Sequence, residues 1–252
     1  MAIDLEVLRK SLSDARAQTD PDPLRIAEAA EALGDALETR GSVAEILSLR
    51  QEVAEVFDHH LGQVHPRTQA ALNNFARALA VAGQLDDAEA IYRAVGTLNE
   101  TLYGETHPNV AALLNNLASV LETKGQLEEA EFCYRKALEI DEEVYGSEST
   151  SVAIGLSNLA GIHRNRSEFS EAEALYQRAL AIDEKVDGPN HPNIAIRLNN
   201  LGWIYEVQER ADTAEAAYGR AYEIFSTHHG ADHIRTQTAA TNLERVRKRR
   251  AV

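Results

Sequence analysis

A block of sequence recurs every 42 residues along most of this 252-residue chain. A glycine, an asparagine and a tyrosine keep fixed places in the block. They are Gly62, Gly104, Gly146, Gly188 and Gly230; Asn74, Asn116, Asn158, Asn200 and Asn242; and Tyr92, Tyr134, Tyr176 and Tyr218. A period of this length predicts stacked supersecondary units, because each unit is too small to bury its own apolar face. Such arrays expose long surfaces that bind other molecules.

The unit at residues 104–145 predicts two helices, because its apolar residues recur at helical spacing in each half. They are Val110, Leu113, Leu114, Leu117, Ala118 and Leu121, then Leu127, Ala130, Tyr134, Ala137, Leu138 and Ile140. Pro108 suits the first turn of the first helix, and Thr106 or His107 is placed to cap it. Gly125 can adopt the left-handed conformation that ends a helix. The short connections predict an antiparallel helical hairpin.

The repeats predict an all-α fold, a single α-solenoid domain of antiparallel hairpins. Its expected parts are an N-terminal capping helix (1–19), a degenerate repeat (20–61), four repeats (62–103, 104–145, 146–187, 188–229) and a C-terminal capping helix with a basic tail (230–252). Atypical end repeats are expected, because their outer faces must tolerate water.

The formal net charge of −15 argues against general nucleic-acid binding and against binding to anionic membranes. A basic tail stands apart from the acidic body, with Arg245, Arg247, Lys248, Arg249 and Arg250. It either complements the dipole of the last helix or docks to an acidic partner. Cys133, the only cysteine, is predicted to be a buried small hydrophobe. Without a spanning apolar run or a signal peptide, a cytoplasmic protein is expected.

No motif of an enzyme is present: there is no phosphate loop, HExxH, CxxC or nucleophile elbow. We therefore expect neither catalysis nor a cofactor. Two histidine trios lie at junctions between units and could bring imidazoles together: His59, His60 and His65, and His228, His229 and His233. No cysteine or well-placed carboxylate set accompanies them, so loop and helix-capping roles explain them more simply than a metal site.

A motif shared by the repeats stands in the second full unit as His107, Pro108, Leu114, Asn115, Asn116, Leu117, Ala118, Gly125, Gln126, Leu127, Ala130, Glu131, Tyr134, Ala137, Leu138, Glu139 and Ile140. This motif resembles the tetratricopeptide repeat, most closely the 42-residue variety of the kinesin light chain, over about residues 62–245. The resemblance implies a right-handed α-solenoid in which first helices line a concave groove and partner peptides lie across them.

The resemblance also places the repeated asparagines at a groove-facing position. An asparagine carries a donor and an acceptor, so a ladder of them can pair the backbone of an extended peptide. The alternative is that each amide braces its own array, since a half-buried amide must be paired somewhere. One turn further along come residues that differ between units: Arg77, Ser119, Gly161, Trp203 and Arg245.

Trp203 is either an aromatic anchor for a ligand or ordinary packing between helices. A turn beyond it lie Glu122, Arg164 and Glu206. Arg77 and Arg164 would attract carboxylates, which favours a partly acidic peptide.

The sequence thus predicts a non-enzymatic protein- or peptide-binding scaffold or adaptor. The alternatives are a structural self-assembly unit and a regulatory sensor for a small ligand or signalling peptide. The expected peptide-binding residues are Asn74, Arg77, Asn116, Ser119, Asn158, Arg164, Asn200, Trp203 and Asn242. The partner and the oligomeric state do not follow from the sequence.

Overall fold

The computed structural model describes residues 4–38 and 41–250, with only the backbone of Arg250. In this range the chain forms twelve helices, as the all-α prediction requires. They are α1 (Leu5–Arg16), α2 (Pro23–Leu37), α3 (Val43–Leu61), α4 (Pro66–Val81), α5 (Leu85–Tyr103), α6 (Pro108–Thr123), α7 (Leu127–Tyr145), α8 (Thr150–Asn165), α9 (Phe169–Val186), α10 (Pro192–Val207), α11 (Ala211–His229) and α12 (Ile234–Arg250). Residues 1–3, 39–40 and 251–252, which belong to the predicted end segments and degenerate repeat, lie outside the described residues.

The helices form two compact units, Met1–Gln126 with α1 to α6 and Leu127–Val252 with α7 to α12. Within each unit, every helix packs against the next one along the chain. Sequential packing of this kind makes each unit an α-solenoid, as the repeats predict. No helix among the described residues is both long and apolar enough to cross a membrane.

The helices of a pair within one unit are held together by small residues around a buried tyrosine. On α9, which packs against α8, Ala172 and Ala179 are fully buried, and Tyr176 between them is 2% exposed. At this position of the repeat the alanines let two helices approach while the tyrosine fills the space. Burial raises the pKa of the equivalent Tyr92 to about 12, because the phenolate would lose its hydration. Cys133 is also buried, as predicted.

Histidines start most of the first helices. The Nδ1 atom of His107 accepts the Asn109 N–H at 3.1 Å, so His107 rather than Thr106 is the cap. Equivalent caps are His65, His191 and His233, while Ser149 caps α8 through its hydroxyl. An accepting Nδ1 requires the neutral imidazole with its proton on Nε2. The four capping histidines therefore have a structural role at the starts of these helices.

The repeated glycines follow from backbone geometry. Gly62 has φ 81° and ψ 162°, a region open essentially to glycine alone, and Gly104 has nearly the same angles. Gly125 has φ 78°, which confirms the predicted left-handed turn. At the same turn of the next two repeats, Ser167 and Glu209 take φ 61° and 60° without being glycine.

Candidate functional site

The five repeated asparagines lie on successive first helices, two in the first unit and three in the second. Asn74 is on α4 and Asn116 on α6; Asn158 is on α8, Asn200 on α10 and Asn242 on α12. All five side chains are half-buried. Each amide therefore lies at the boundary between the helix packing and the surface.

Two of these amides link neighbouring first helices. Asn116 Nδ2 donates to Asn73 Oδ1 at 2.9 Å, and Asn242 Nδ2 donates to Asn199 Oδ1 at 3.0 Å. Bracing of the array, the alternative considered from sequence, is thus present at both positions. Each bond uses one amide N–H, so the remaining donor and the carbonyl oxygen can serve a ligand.

In the first unit, Asn74 and Arg77 line a cavity of about 230 Å³ beside α2 and α3. Arg77 donates to Asn74 Oδ1 at 3.4 Å and also to the Glu38 carboxylate. The hydrogen bond from Arg77 holds the pKa of Glu38 below its usual value. Arg77 is therefore paired within the chain, and a partner carboxylate would have to compete with Glu38.

Ser119, also predicted as a site residue, is exposed on α6 one turn after Asn116.

In the second unit, Trp203 is packed at one edge and exposed at another. Its ring meets Phe169 edge-on at 5.9 Å, yet the residue is 38% exposed. The Arg164 guanidinium lies 5.7 Å from the Trp203 ring centroid. Among the described residues Arg164 makes no ion pair. The result is a cation beside an exposed aromatic ring, an arrangement that suits recognition.

Three residues of the basic tail, Arg245, Arg247 and Arg249, are paired within their own unit. Arg245 donates to both carboxylate oxygens of Glu206, at 2.9 and 2.7 Å, and Arg249 donates to Glu206 at 2.8 Å. The Arg245 hydrogen bond lowers the pKa of Glu206. Arg247 pairs with Glu215 at 2.8 Å. These contacts favour the structural interpretation of the tail over docking to an acidic partner.

A cavity recurs between consecutive first helices at equivalent positions of the two units. One, of about 180 Å³, is lined by Pro66, Gln69, Ala70, Asn73, Val95, Asn99, Asn109, Ala112 and Leu113. The other, of about 230 Å³, is lined by Ile196, Asn199, Asn200, Phe225, Ile234, Arg235 and Thr238. Five lining positions of the two cavities lie 126 residues apart, which is three periods. Of the predicted site residues, only Asn200 lines either cavity.

Sequence reasoning missed the second-helix position that these two cavities share. Read every 42 residues, this position holds Phe57, Asn99, Asp141, Asp183 and Phe225, and all five residues are buried. Asp183 accepts a hydrogen bond from Arg197 Nε at 3.0 Å, whereas Asp141 has no partner among the described residues. The sequence signal for this position is its change from phenylalanine in the outer repeats to Asn or Asp in the middle ones.

The histidines near the junctions come together in pairs, as predicted. The His59 and His60 ring centroids lie 4.8 Å apart, and those of His229 and His233 lie 4.5 Å apart. In the part of the chain that the structure describes, no group of three or more His, Cys, Asp or Glu residues is arranged to hold a metal ion.

Comparison with known proteins supports the repeat assignment. The family model for the tetratricopeptide repeat matches residues 67–143 and 151–227, more than half of the chain. The structure of BtubC (BKLC) from P. vanneervenii is similar, at 25% identity and a TM-score of 0.71, covering 90% of this chain and 91% of that one. The comparison with curated proteins gives no match.

Two structures of a Podosopora anserina putative kinesin light chain with nearly identical TPR-like repeats share the fold at 22% identity. One of them, a form with a single substitution, has a TM-score of 0.67 and covers 81% of this chain and 96% of that one. The other has a TM-score of 0.65 and covers 83% and 99%. With the 42-residue period and the sequential packing of its helices within each unit, this chain belongs to the tetratricopeptide repeat family, and its fold is similar to those of these kinesin-light-chain-like structures.

Proposed function

We propose that the chain is a non-enzymatic adaptor that holds an extended segment of a protein partner along its first helices. Tetratricopeptide folds generally serve as protein-interaction scaffolds and are typically non-catalytic. The observation that carries the proposal is the half-buried asparagine repeated on five first helices. Asn200 supports it most clearly, because its amide lines a cavity and makes no side-chain hydrogen bond among the described residues.

The asparagines would supply affinity that depends little on the partner's sequence. Each amide can donate to a peptide carbonyl and accept from a peptide N–H. A single such bond contributes about 0.5–1.5 kcal/mol, so several repeats must act together. The first helices bearing Asn158, Asn200 and Asn242 make the second unit the better candidate for continuous contact.

The residues one or two turns further along would supply sequence preference. Trp203 offers an exposed aromatic face, and Arg164 beside it carries a charge with no ion-pair partner among the described residues. An acidic side chain of the partner, next to an apolar one, fits this pair. Arg77 contributes less to such a preference, because Glu38 already neutralises it.

The proposal is tested by selecting eight-residue peptides that lack tryptophan from a display library and measuring their affinities by fluorescence anisotropy. Replacing both Asn200 and Trp203 by alanine should weaken binding by about 30-fold or more, since a buried aromatic anchor alone often contributes about 2 kcal/mol. Circular dichroism should show unchanged helicity.

Phe132→Ala is the matched control. Phe132 lies on the second helix α7 and is 66% exposed. The equivalent residue in the other repeats is alanine, at positions 90, 174 and 216. This variant should bind like the wild type. Unchanged affinity of the Asn200/Trp203 variant, or loss of affinity in Phe132→Ala, would place the binding surface elsewhere.

A further inference from the structure

The cavity between α4, α5 and α6 contains two buried polar groups that lack partners. Gln69 is 6% exposed and Asn99 is 4% exposed, and both line the cavity. Gln69 Oε1 accepts a hydrogen bond from the Tyr103 hydroxyl at 3.4 Å, but Gln69 Nε2 has no acceptor among the described residues. Asn99 Oδ1 likewise has no donor there. Two residues that each carry an unpaired, enclosed polar atom, one a donor and one an acceptor, thus line one cavity, although buried polar groups are normally paired.

We propose, on the basis of the peptide-binding function above, that this cavity receives the carboxamide of a glutamine or asparagine side chain of the bound segment. The ligand carbonyl would accept from Gln69 Nε2, and the ligand amide would donate to Asn99 Oδ1. If both protein amides turn over, the donor and the acceptor exchange places, and a carboxamide can turn with them.

Other side chains satisfy only part of this pattern. A carboxylate accepts from Gln69 but sets a negative oxygen against Asn99 Oδ1, whereas an ammonium group donates to Asn99 but cannot accept from Gln69. An apolar side chain would leave both groups buried and unpaired, which is the costly outcome. A hydroxyl carries both functions on a single atom, so it is poorly suited to reach groups on two different helices.

The size of the cavity suits a single side chain and is below that of sites for drug-sized ligands. Its volume is about 180 Å³. Sites for drug-sized ligands are typically about 300–1,000 Å³, whereas one water needs only about 10–15 Å³. A side chain of a peptide bound along the first helices fits this volume.

The equivalent cavity of the second unit shows that the two amides of Gln69 and Asn99 are particular to the first unit. In place of Asn99 it has Phe225, and in place of Gln69 the chain has Ala195. Both replacements are buried. At these two positions the second unit is thus built with apolar residues, so the fold itself does not require the two amides.

The test uses a library of acetylated, amidated octapeptides in which each position in turn is fixed as Gln, Asn, Glu, Lys, Ser or Met. The full chain should prefer Gln or Asn over Met at one position by about tenfold, as one or two net hydrogen bonds predict. Asn99→Phe should abolish that preference while retaining overall binding. Gln69→Ala is a second variant, and it introduces the residue found at positions 111, 153 and 195.

Phe225→Asn is the control in the second unit, and it should leave the position of the Gln or Asn preference unchanged. Peptides that bind without any carboxamide preference would overturn the carboxamide site and leave the proposed function standing. A preference that survives in both Asn99→Phe and Gln69→Ala would also overturn it. Binding of no peptide at all would contradict the carboxamide site and the proposed function together.

Discussion

Asp141 and Asp183 occupy the same position of successive repeats, yet their surroundings differ. Asp183 is fully buried and accepts a hydrogen bond from Arg197, whose side chain is 9% exposed. At the position of Arg197, the repeat that faces Asp141 has Gly155. Burial raises the pKa of both carboxyls, and only Asp183 has a cation that counters this effect. The buried carboxylate is therefore uncompensated at position 141 and paired with a cation at position 183.

The substitution of each aspartate by asparagine should change stability in opposite directions. Asp141→Asn should stabilise the fold at pH 7 by on the order of 1 kcal/mol, because it removes a buried charge without a partner. Asp183→Asn should destabilise it by about 2–4 kcal/mol, because it leaves Arg197 buried and unpaired. Urea unfolding followed by circular dichroism measures both. Equal effects would show that the two sites are electrostatically alike.

The gain from Asp141→Asn should depend on pH. A carboxyl whose pKa is raised by folding costs stability when it is ionised, and this cost disappears as the pH falls through the folded pKa. Below its ordinary value of 3.8, Asp141 is protonated in both states. The wild type and the asparagine variant should therefore differ at pH 7 and converge near pH 3.

Gly202 and Gly219 illustrate how packing decides the effect of a helical glycine. A Cβ atom at Gly202 would lie 2.7 Å from the Tyr218 ring, which is fully buried. At Gly219, no heavy atom lies within 4 Å of the added Cβ. Alanine occupies the position of Gly202 in three other repeats, at 76, 118 and 160. Sequence comparison alone would therefore suggest alanine at 202.

Alanine should be harmful at Gly202 and helpful at Gly219. Gly202→Ala should lower the unfolding free energy by about 1–3 kcal/mol, as overpacking does. Gly219→Ala should raise it by up to about 1 kcal/mol, because alanine favours helix and the site has room. Thermal unfolding of both variants tests this. A gain in stability at Gly202 would mean that Tyr218 moves readily.

Helix pairs show a similar exchange of large and small residues. Leu113 lies against Gly96, where an added Cβ would come within 2.9 Å of its side chain. In the next repeat the sizes are reversed, because Leu138 lies 3.1 Å from a Cβ placed at Gly155. Each glycine departs from the repeat pattern, but the pair as a whole keeps its volume. Single-position comparison therefore cannot predict this packing.

The C-terminal ends of the first helices α4, α6, α8 and α10 share one geometry, although their turn sequences differ. In each, the residue after the left-handed position donates its N–H to a carbonyl five residues earlier, as Gln126 does to Leu121 at 2.9 Å. Glu168 donates to His163 in the same way at 2.8 Å. The left-handed residue is Gly83, Gly125, Ser167 or Glu209. Ser167 and Glu209 thus hold a side chain in the left-handed conformation, which glycine adopts at a lower energetic cost.

Exchanging these turn residues should move stability predictably. Glu209→Gly and Ser167→Gly should each stabilise the fold by about 1 kcal/mol, because they relieve left-handed strain. Gly125→Ser should cost a similar amount. Chemical denaturation of the three variants gives the values. A loss of stability on introducing glycine at both 167 and 209 would indicate that their side chains stabilise the turn by more than the strain.

At the scale of the whole molecule, the 42-residue period was sufficient to predict the helices, the tyrosine packing and the glycine turns, because each depends on local sequence. It could not predict which charges pair across repeats. One glutamate register accepts cations from the following repeat: Glu89 from Lys124, Glu131 from Arg166, Glu173 from Arg210 and Glu215 from Arg247. Lys124 and Arg166 occupy the same position of successive repeats, but Arg210 and Arg247 occupy two others, so no single spacing reveals all four pairs.

The candidate site was less predictable than the fold for a similar reason. The asparagine register is visible in the sequence, but the bonds of Asn116 and Asn242 to the preceding first helix depend on how the helices pack. Gln69 and Asn99 each carry one unpaired amide atom, and these two residues of different helices line the same cavity. The sequence does not show that the other residues of the lining leave these two atoms without hydrogen-bond partners.

Quenching of Trp203 fluorescence by acrylamide tests the central claim, that first helices carry the binding surface. Trp203 is the only tryptophan of the chain, so the signal reports one first-helix position. Binding of a tryptophan-free peptide from the display selection, monitored by anisotropy of a label on the peptide, should reduce quenching because the peptide covers the exposed ring. A peptide that binds fully while quenching stays unchanged would contradict the account.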